Sequence, residues 1–350
     1  MKLPSRVIGA GLIMTLFLAG CGTTADPTPA ADATAAGGTL QAVTLAVDWI
    51  PNTTYTGFYV AQQKGWYKEQ GIDLTILPYS EGGISPDLTV ATGKADFGIS
   101  YELPVLLDRV NNLPIKSVAA IIQTNPSAMA TLKDSGIDSP AQFSGKRFAA
   151  FGLPYEEPLI AAMIKCAGGT DTKIQSFVTQ VGGYQALVAK QADFLWIATF
   201  WEGVQAQRDK VALNEFVLSD YCVPDGYGAV LITSETLLKE KSDLGKRFVA
   251  ATARGFNFAA TNPGEAADLV IEANPPGTFP DPGLVRDSAQ YLAPLYVDNA
   301  PRWGEQTLQL WTNYPKFLAE TGTLLDANGQ PVTPEFDYAT LFTNELLPME

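Results

Sequence analysis

The 350-residue chain carries 23 Lys and Arg against 37 Asp and Glu, a net charge of −14, and no histidine. So acidic a balance excludes a grip on phosphate backbones, and nucleic acid with it. The missing histidine excludes an imidazole base and any Cys/His zinc cluster, and no metal site is expected.

The N-terminus reads as an export leader over residues 1–20. Lys2 and Arg6 precede an apolar run, Val7 to Leu18, too short to span a bilayer. Ala19 and Gly20 then stand before Cys21, as in a bacterial lipoprotein signal, so Cys21 is the expected lipid anchor. Residues 21–39 hold no large apolar side chain and read as a flexible tether with a reach of roughly 20–25 Å. No later apolar run is long enough to cross a membrane. The expected location is therefore the cell membrane, lipid-anchored and facing outside the cytoplasm. Losing the leader with its two basic residues takes the net charge from −14 to −16. Export permits a disulfide, but spacing leaves open whether Cys166 and Cys222 meet or stay as buried thiols.

Beyond the tether the chain alternates short strands and helices, an α/β pattern. Thr44–Val47 predicts a strand, Trp49–Thr56 a polar-aromatic loop and Gly57–Gln63 a helix. A short helix over Trp66–Gln70 is closed by Gly71, and Ile72–Leu77 is the next strand. Pro86–Thr92 predicts a helix and Ala95–Ser100 a buried strand. The run from Leu88 to Ile99, with Ala-Asp-Phe near its end, recurs in part from Leu187 to Ile197. One such unit in each half implies two similar lobes facing one another. The boundaries read as 40–130 for the first part of lobe 1, 131–228 for lobe 2, and 229–350 for the rest of lobe 1. Ala130–Leu132 is expected to carry the chain across and Gly226–Ile232 to bring it back. Helices are expected at Leu159–Cys166, Leu244–Asn262 and Pro301–Thr321.

The segment Asp48-Trp49-Ile50-Pro51-Asn52-Thr53-Thr54-Tyr55-Thr56-Gly57, followed by Gly65-Trp66-Tyr67, resembles a family motif. It is the D-W-x-P-N-x-x-H-x-G pattern of solute-binding proteins that capture thiamine pyrimidine precursors for ABC importers. The resemblance runs from Leu45 to about Arg254. It implies a two-lobe periplasmic-binding-protein (Venus-flytrap) fold with hinge crossings, and permease and ATPase partners; no enzymatic activity is expected, since the chain has no histidine base, no Gly-x-Ser-x-Gly elbow, no phosphate loop and no metal cluster. Tyr55 stands where the family has histidine. The family also holds enzymes that build a pyrimidine from a histidine side chain, and this chain has none to use. A branch associated with riboflavin import suits a tyrosine and a more aromatic cleft. The resemblance thus implies riboflavin as ligand, with a formyl-aminopyrimidine as the alternative, and a monomer without cofactor.

Ligands in open α/β sheets lie beyond the carboxyl ends of strands. That selects Tyr101 and Glu102 after one strand, Thr199, Trp201 and Glu202 after its counterpart, and Tyr155 and Glu156 after Arg147–Ala150. Trp49 and Tyr55 offer ring faces for stacking, and Asn52 both a donor and an acceptor. Tyr184 follows a Gly-Gly step and is a further candidate. For each, packing within a lobe or capping of a helix competes with ligand contact. None of these segments contains Lys or Arg, so the expected ligand is flat, donor-rich and not an oxyanion.

Overall fold

The computed structural model describes residues 39–350 apart from 81, 82, 180, 181, 323 and 350. The expected leader, the Cys21 anchor and the tether up to residue 38 lie outside the described residues.

Five strands form the first sheet: β1 (Gln41–Ala46), β2 (Ile72–Leu77), β3 (Phe97–Ser100), β4 (Ile115–Ala120) and, far downstream, Val230–Ser234. The second sheet takes β5 (Ser127–Leu132), β6 (Arg147–Ala150), β7 (Gln175–Val178), β8 (Phe194–Ala198) and β9 (Leu213–Val217), which makes the downstream strand β10. The orders are β2-β1-β3-β10-β4 and β7-β6-β8-β5-β9. Within each, three neighbouring strands run parallel and one strand runs antiparallel to both of its partners: β10 in the first sheet, β5 in the second. Each antiparallel strand is the one the chain enters directly after a crossing between the lobes, through residues 121–126 and then 222–229.

The first crossing differs from the expected one. Ala130–Leu132 lies inside β5, whose residues Ala128–Thr131 are fully buried between β8 and β9. A central strand has no freedom to act as a link. The crossing is the polar stretch ending at Asn125-Pro126, a breaker that also frees the strand to start at Ser127.

Helices cover the sheets: α1 (Thr56–Gln63), α2 (Trp66–Glu69), α3 (Pro86–Ala91) and α4 (Glu102–Val110) in the first lobe, and α5 (Glu156–Cys166), α6 (Gly183–Val188) and α7 (Val204–Arg208) in the second. After β10 come α8 (Glu235–Glu240), α9 (Ser242–Thr261), α10 (Pro263–Ala273), α11 (Pro282–Leu292) and α12 (Leu308–Glu320). The last was expected from Pro301. It starts later because Thr307 caps it, its hydroxyl accepting from the Leu310 amide at 3.4 Å.

The repeated Ala-Asp-Phe step has the same job in both lobes. Asp96 accepts from the Thr44 amide at 2.9 Å, and Asp193 from the Arg147 amide at 2.8 Å. Each aspartate thus clamps the start of its strand to the neighbouring one and sets their register, at the sheet edge opposite the cleft. The motif's last glycine is a packing residue. A Cβ on Gly255 of α9 would fall 2.0 Å from the Gly57 carbonyl, so the two glycines let α1 and α9 touch backbone to backbone. This contact fixes the loop that precedes α1. Beneath it, Phe97 and Phe248 stack at 4.0 Å. The second lobe has its own stack, Phe143 on Phe194 at 4.2 Å. Cys166 and Cys222 form a disulfide, which ties the end of α5 to the start of the returning crossing.

Candidate functional site

The carboxyl ends of β1 and β3 in one lobe face those of β6 and β8 in the other, and the loops that leave them meet. Trp49 of the first lobe lies edge-on to Phe151 of the second, with centroids 5.8 Å apart, and packs on Tyr79 of its own lobe at 5.1 Å. The two lobes are therefore in ring contact.

The centre of the first-lobe face is Asp48, a residue absent from the expected set. Its Oδ1 accepts from the Tyr55 hydroxyl at 2.7 Å and its Oδ2 from the Tyr101 hydroxyl at 2.9 Å. Tyr55 is 1% exposed and buried in the first-lobe core, whereas Tyr101 is 40% exposed. Burial raises the Asp48 carboxyl above the usual carboxylate range, and the two tyrosines counteract this. A second carboxylate, Asp87 at the start of α3, accepts from the Ser100 hydroxyl and is likewise raised by burial. Its neighbour Asp108 is pushed up to about 8 by burial and by the Asp87 charge.

The second lobe contributes Tyr155, Glu202 and Phe151. Tyr155 lies edge-on to Trp196 at 6.5 Å, and its hydroxyl feels the charges of Glu156, Asp87 and Asp48. Glu202 accepts from the Ala198 amide at 3.0 Å, and burial pushes its carboxyl up to about 7. Tyr101 feels both Asp48 and Glu202, which places carboxylates of the two lobes around one phenol.

Other expected residues are engaged elsewhere. Asn52 spends its side chain on its own loop: Oδ1 accepts from the Thr54 amide at 2.8 Å and Nδ2 donates to the Ile50 carbonyl at 2.9 Å. Glu156 accepts from three consecutive amides, Phe151 at 2.9 Å, Gly152 at 2.8 Å and Leu153 at 2.7 Å, and so shapes the loop that carries Phe151. Glu102 points away from the cleft. Its Oε2 accepts from the Tyr227 amide in the returning crossing at 2.9 Å, and its Oε1 has no partner among the described residues. Burial drives that carboxyl well above its ordinary value. Thr199 donates to the Pro126 carbonyl at 2.8 Å, knitting β8 to the first crossing. Tyr184 donates to Asp209 at 2.9 Å within the second lobe's own core. Trp201 turns toward Phe279, 6.5 Å away, and joins the packing between the lobes outside the cleft. Sequence reasoning placed these residues after the right strands but had no signal for which way each side chain turns.

The lobes are also joined by charge. Arg208 at the end of α7 forms a fork on Asp281, the cap of α11, at 2.6 and 2.9 Å, and reaches Asp287 as well. A groove of about 790 Å³ beside Leu153, Ile174 and Val178 lies on the second lobe alone. It has no partner surface from the first lobe, so its occupancy would not drive closure.

Comparison with known proteins supplies the context. Residues 52–266 match the model of the family described as NMT1/THI5 like. The chain is 28% identical over 340 residues to the formylaminopyrimidine-binding protein of Halalkalibacterium halodurans, across 94% of this chain and 97% of that one. It is 29% identical over 357 residues to the riboflavin-binding protein RibY of Chloroflexus aurantiacus, across 98% of each chain. A 4-amino-5-hydroxymethyl-2-methylpyrimidine phosphate synthase of Legionella pneumophila is 26% identical over 315 residues, across 87% and 92%. Among solved structures, the ligand-binding component of an ABC-type import system from Staphylococcus aureus superposes with a TM-score of 0.63 at 14% identity, across 87% of this chain and 97% of that one. At that identity the likeness shows the fold alone: the two-lobe α/β fold of periplasmic binding proteins.

Proposed function

The chain belongs to the NMT1/THI5-like family, and we propose that it is the solute-binding component of an ABC importer that closes its lobes on riboflavin. The observation that carries this reading is the composition of the cleft. Trp49, Tyr101, Phe151 and Tyr155 supply ring faces from both lobes, and Asp48 and Glu202 supply acceptors between them. A flat heterocycle bordered by N–H and hydroxyl donors matches that set: stacking on each ring adds about 0.5–1.5 kcal/mol beyond burial, and ribityl hydroxyls would satisfy carboxylates that burial otherwise penalises. A ligand that touches both lobes favours the closed form by its differential affinity and needs no chemistry to do so. The full-length similarity to a riboflavin-binding protein agrees with this. Delivery would be to permease and ATPase subunits, by a monomer held outside the cytoplasm through acylated Cys21.

An aminopyrimidine is the second reading, favoured by the nearly equal similarity to the formylaminopyrimidine-binding protein and by the same carboxylates, which would accept from a ring amino group. An enzymatic role like that of the synthase relatives has less support, since a chain without histidine has no side chain of that type to donate to a pyrimidine. The test is a titration of the purified, refolded chain with riboflavin. Strong one-to-one quenching of flavin fluorescence is expected. Its absence, together with a thermal shift on adding hydroxymethyl-aminopyrimidine, would select the second reading.

A further inference from the structure

We infer that the cleft admits only the unphosphorylated form of its ligand, because the chain's own carboxylates fill the amide cradle at its second-lobe lip and meet a phosphate elsewhere with like charge. The inference rests on the vitamin-binding reading above and narrows its ligand class.

An oxyanion in a protein needs converging N–H groups, a helix start or a guanidinium fork. The cleft does contain such a cradle. Three successive amides, Phe151 to Leu153, converge at the lip of the second lobe, beside the ring that meets Trp49. The Glu156 carboxylate fills it, with both oxygens used, and Glu156 is 2% exposed. The turn after β8 is treated alike, since Glu202 takes the Ala198 amide. In the first lobe, Asn52 takes the Thr54 amide, and Ser85 caps α3 through the Leu88 amide at 3.3 Å. These four amide sites are satisfied from within, whereas α4 starts at Tyr101 without a side-chain cap, beside the Asp48 carboxylate that the Tyr101 hydroxyl binds.

No arginine among the described residues compensates. Each arginine among the described residues is paired with a carboxylate outside the cleft: Arg109 with Glu235, Arg147 with Asp193, Arg208 with Asp281, and the others likewise. The charges that act on Tyr101 and Tyr155 are all acidic. A phosphate monoester carries about −1.5 to −2 at neutral pH. In the cleft it would meet the like charges of Asp48, Asp87 and Glu202, and at the second-lobe lip a cradle already filled by Glu156.

The place of the protein in a reaction sequence follows. Where the ligand occurs as a phosphate monoester, water must first cleave the P–O bond, releasing inorganic phosphate and the free alcohol, on the same side of the membrane as the binding protein.

The experiment compares two pairs on the purified full chain: riboflavin against riboflavin 5′-phosphate, and hydroxymethyl-aminopyrimidine against its phosphate. Like charges brought together in an interface cost several kcal/mol, so the free alcohol of the bound pair is expected to be favoured by roughly a hundredfold or more. Glu156→Ala, which empties the cradle, is expected to narrow that ratio about tenfold by freeing charge-assisted donors. Should that variant fail to fold, Glu202→Gln, which removes a charge and leaves the loop intact, is expected to narrow it too. Equal affinity for both members of a pair overturns the inference while leaving the vitamin-binding reading in place. A ratio unmoved by either folded variant overturns the assignment to these carboxylates. Binding of none of the four compounds overturns that reading and the inference together.

Discussion

Tyr55 donates its hydroxyl to Oδ1 of Asp48 at 2.7 Å from a position 1% exposed. A buried phenol thus helps to hold the cleft's central carboxylate. Tyr55→Phe keeps the packing and removes the donor. A hydrogen bond to a charged group is worth about 1.5–3 kcal/mol, so denaturant unfolding should show a loss of that order. Tyr101 still holds the other oxygen, so ligand affinity should fall less than tenfold-per-1.4-kcal/mol scaling of that loss would give.

Desolvation at the half-buried Glu202 pushes its carboxyl up to about 7. A carboxyl raised in the fold binds its proton more tightly than in the unfolded chain. Stability linked to it is therefore full below the unfolded value near 4.3 and declines as pH rises through about 7. Glu202→Gln should flatten that decline, worth on the order of 3 kcal/mol between pH 4 and 8. A ligand that donates to the ionised form should bind more tightly as pH rises through 7 in the wild type and lose that dependence in the variant. Calorimetric titration across this range checks both.

Arg208→Ala removes the fork on Asp281 that joins the lobes. The groups are about a third to a half exposed, 33% and 51%, so the loss should be about 1 kcal/mol or less and should vanish in high salt. Small-angle scattering of the ligand-free protein should show a larger radius of gyration for the variant at low ionic strength and no difference at high ionic strength.

The disulfide joins residues 56 apart in sequence. Replacing both Cys166 and Cys222 by Ser should cost about 2–4 kcal/mol. Because the bridge ends at the returning crossing, the variant should also show faster amide exchange through residues 222–229. Mass-resolved hydrogen exchange reads this directly.

Much of the scaffold was legible in the sequence. Ile72–Leu77 and Arg147–Ala150 were found residue for residue, since Gly71 and the Gly-Lys before Arg147 bound them. The repeated Ala-Asp-Phe step marked the two lobes, although its aspartates act on register and not on ligand. The cleft was legible only in part. Trp49, Tyr101, Tyr155 and Glu202 gather around it and Tyr55 reaches it from the core through Asp48, but Asp48, quoted within the motif, was left out of the expected contacts because an acidic residue carries no sign of the two tyrosines that converge on it. The loop bonds of Glu156 and Asn52 were not legible for the opposite reason: the amides they satisfy belong to loops whose shape the sequence does not display. The first crossing was misplaced because β5, short and rich in alanine, has no periodicity to mark it as a central strand.

The strand exchange between the sheets has a bearing on how the chain comes together. The second sheet draws all its strands from one unbroken stretch, β5 to β9. The first is interrupted: among the strands of its sheet, β4 pairs only with β10, which arrives after the whole second lobe. A chain emerging from its N-terminus can therefore complete the second lobe while the first still lacks the strand between β3 and β4. Contacts so distant in sequence form slowly, and an unpaired β3 edge is a template for misassembly in the interval. The final step of maturation should be the insertion of residues 230–234 into a waiting slot, and pulse-labelled exchange should find β3 and β4 to be the last strands protected.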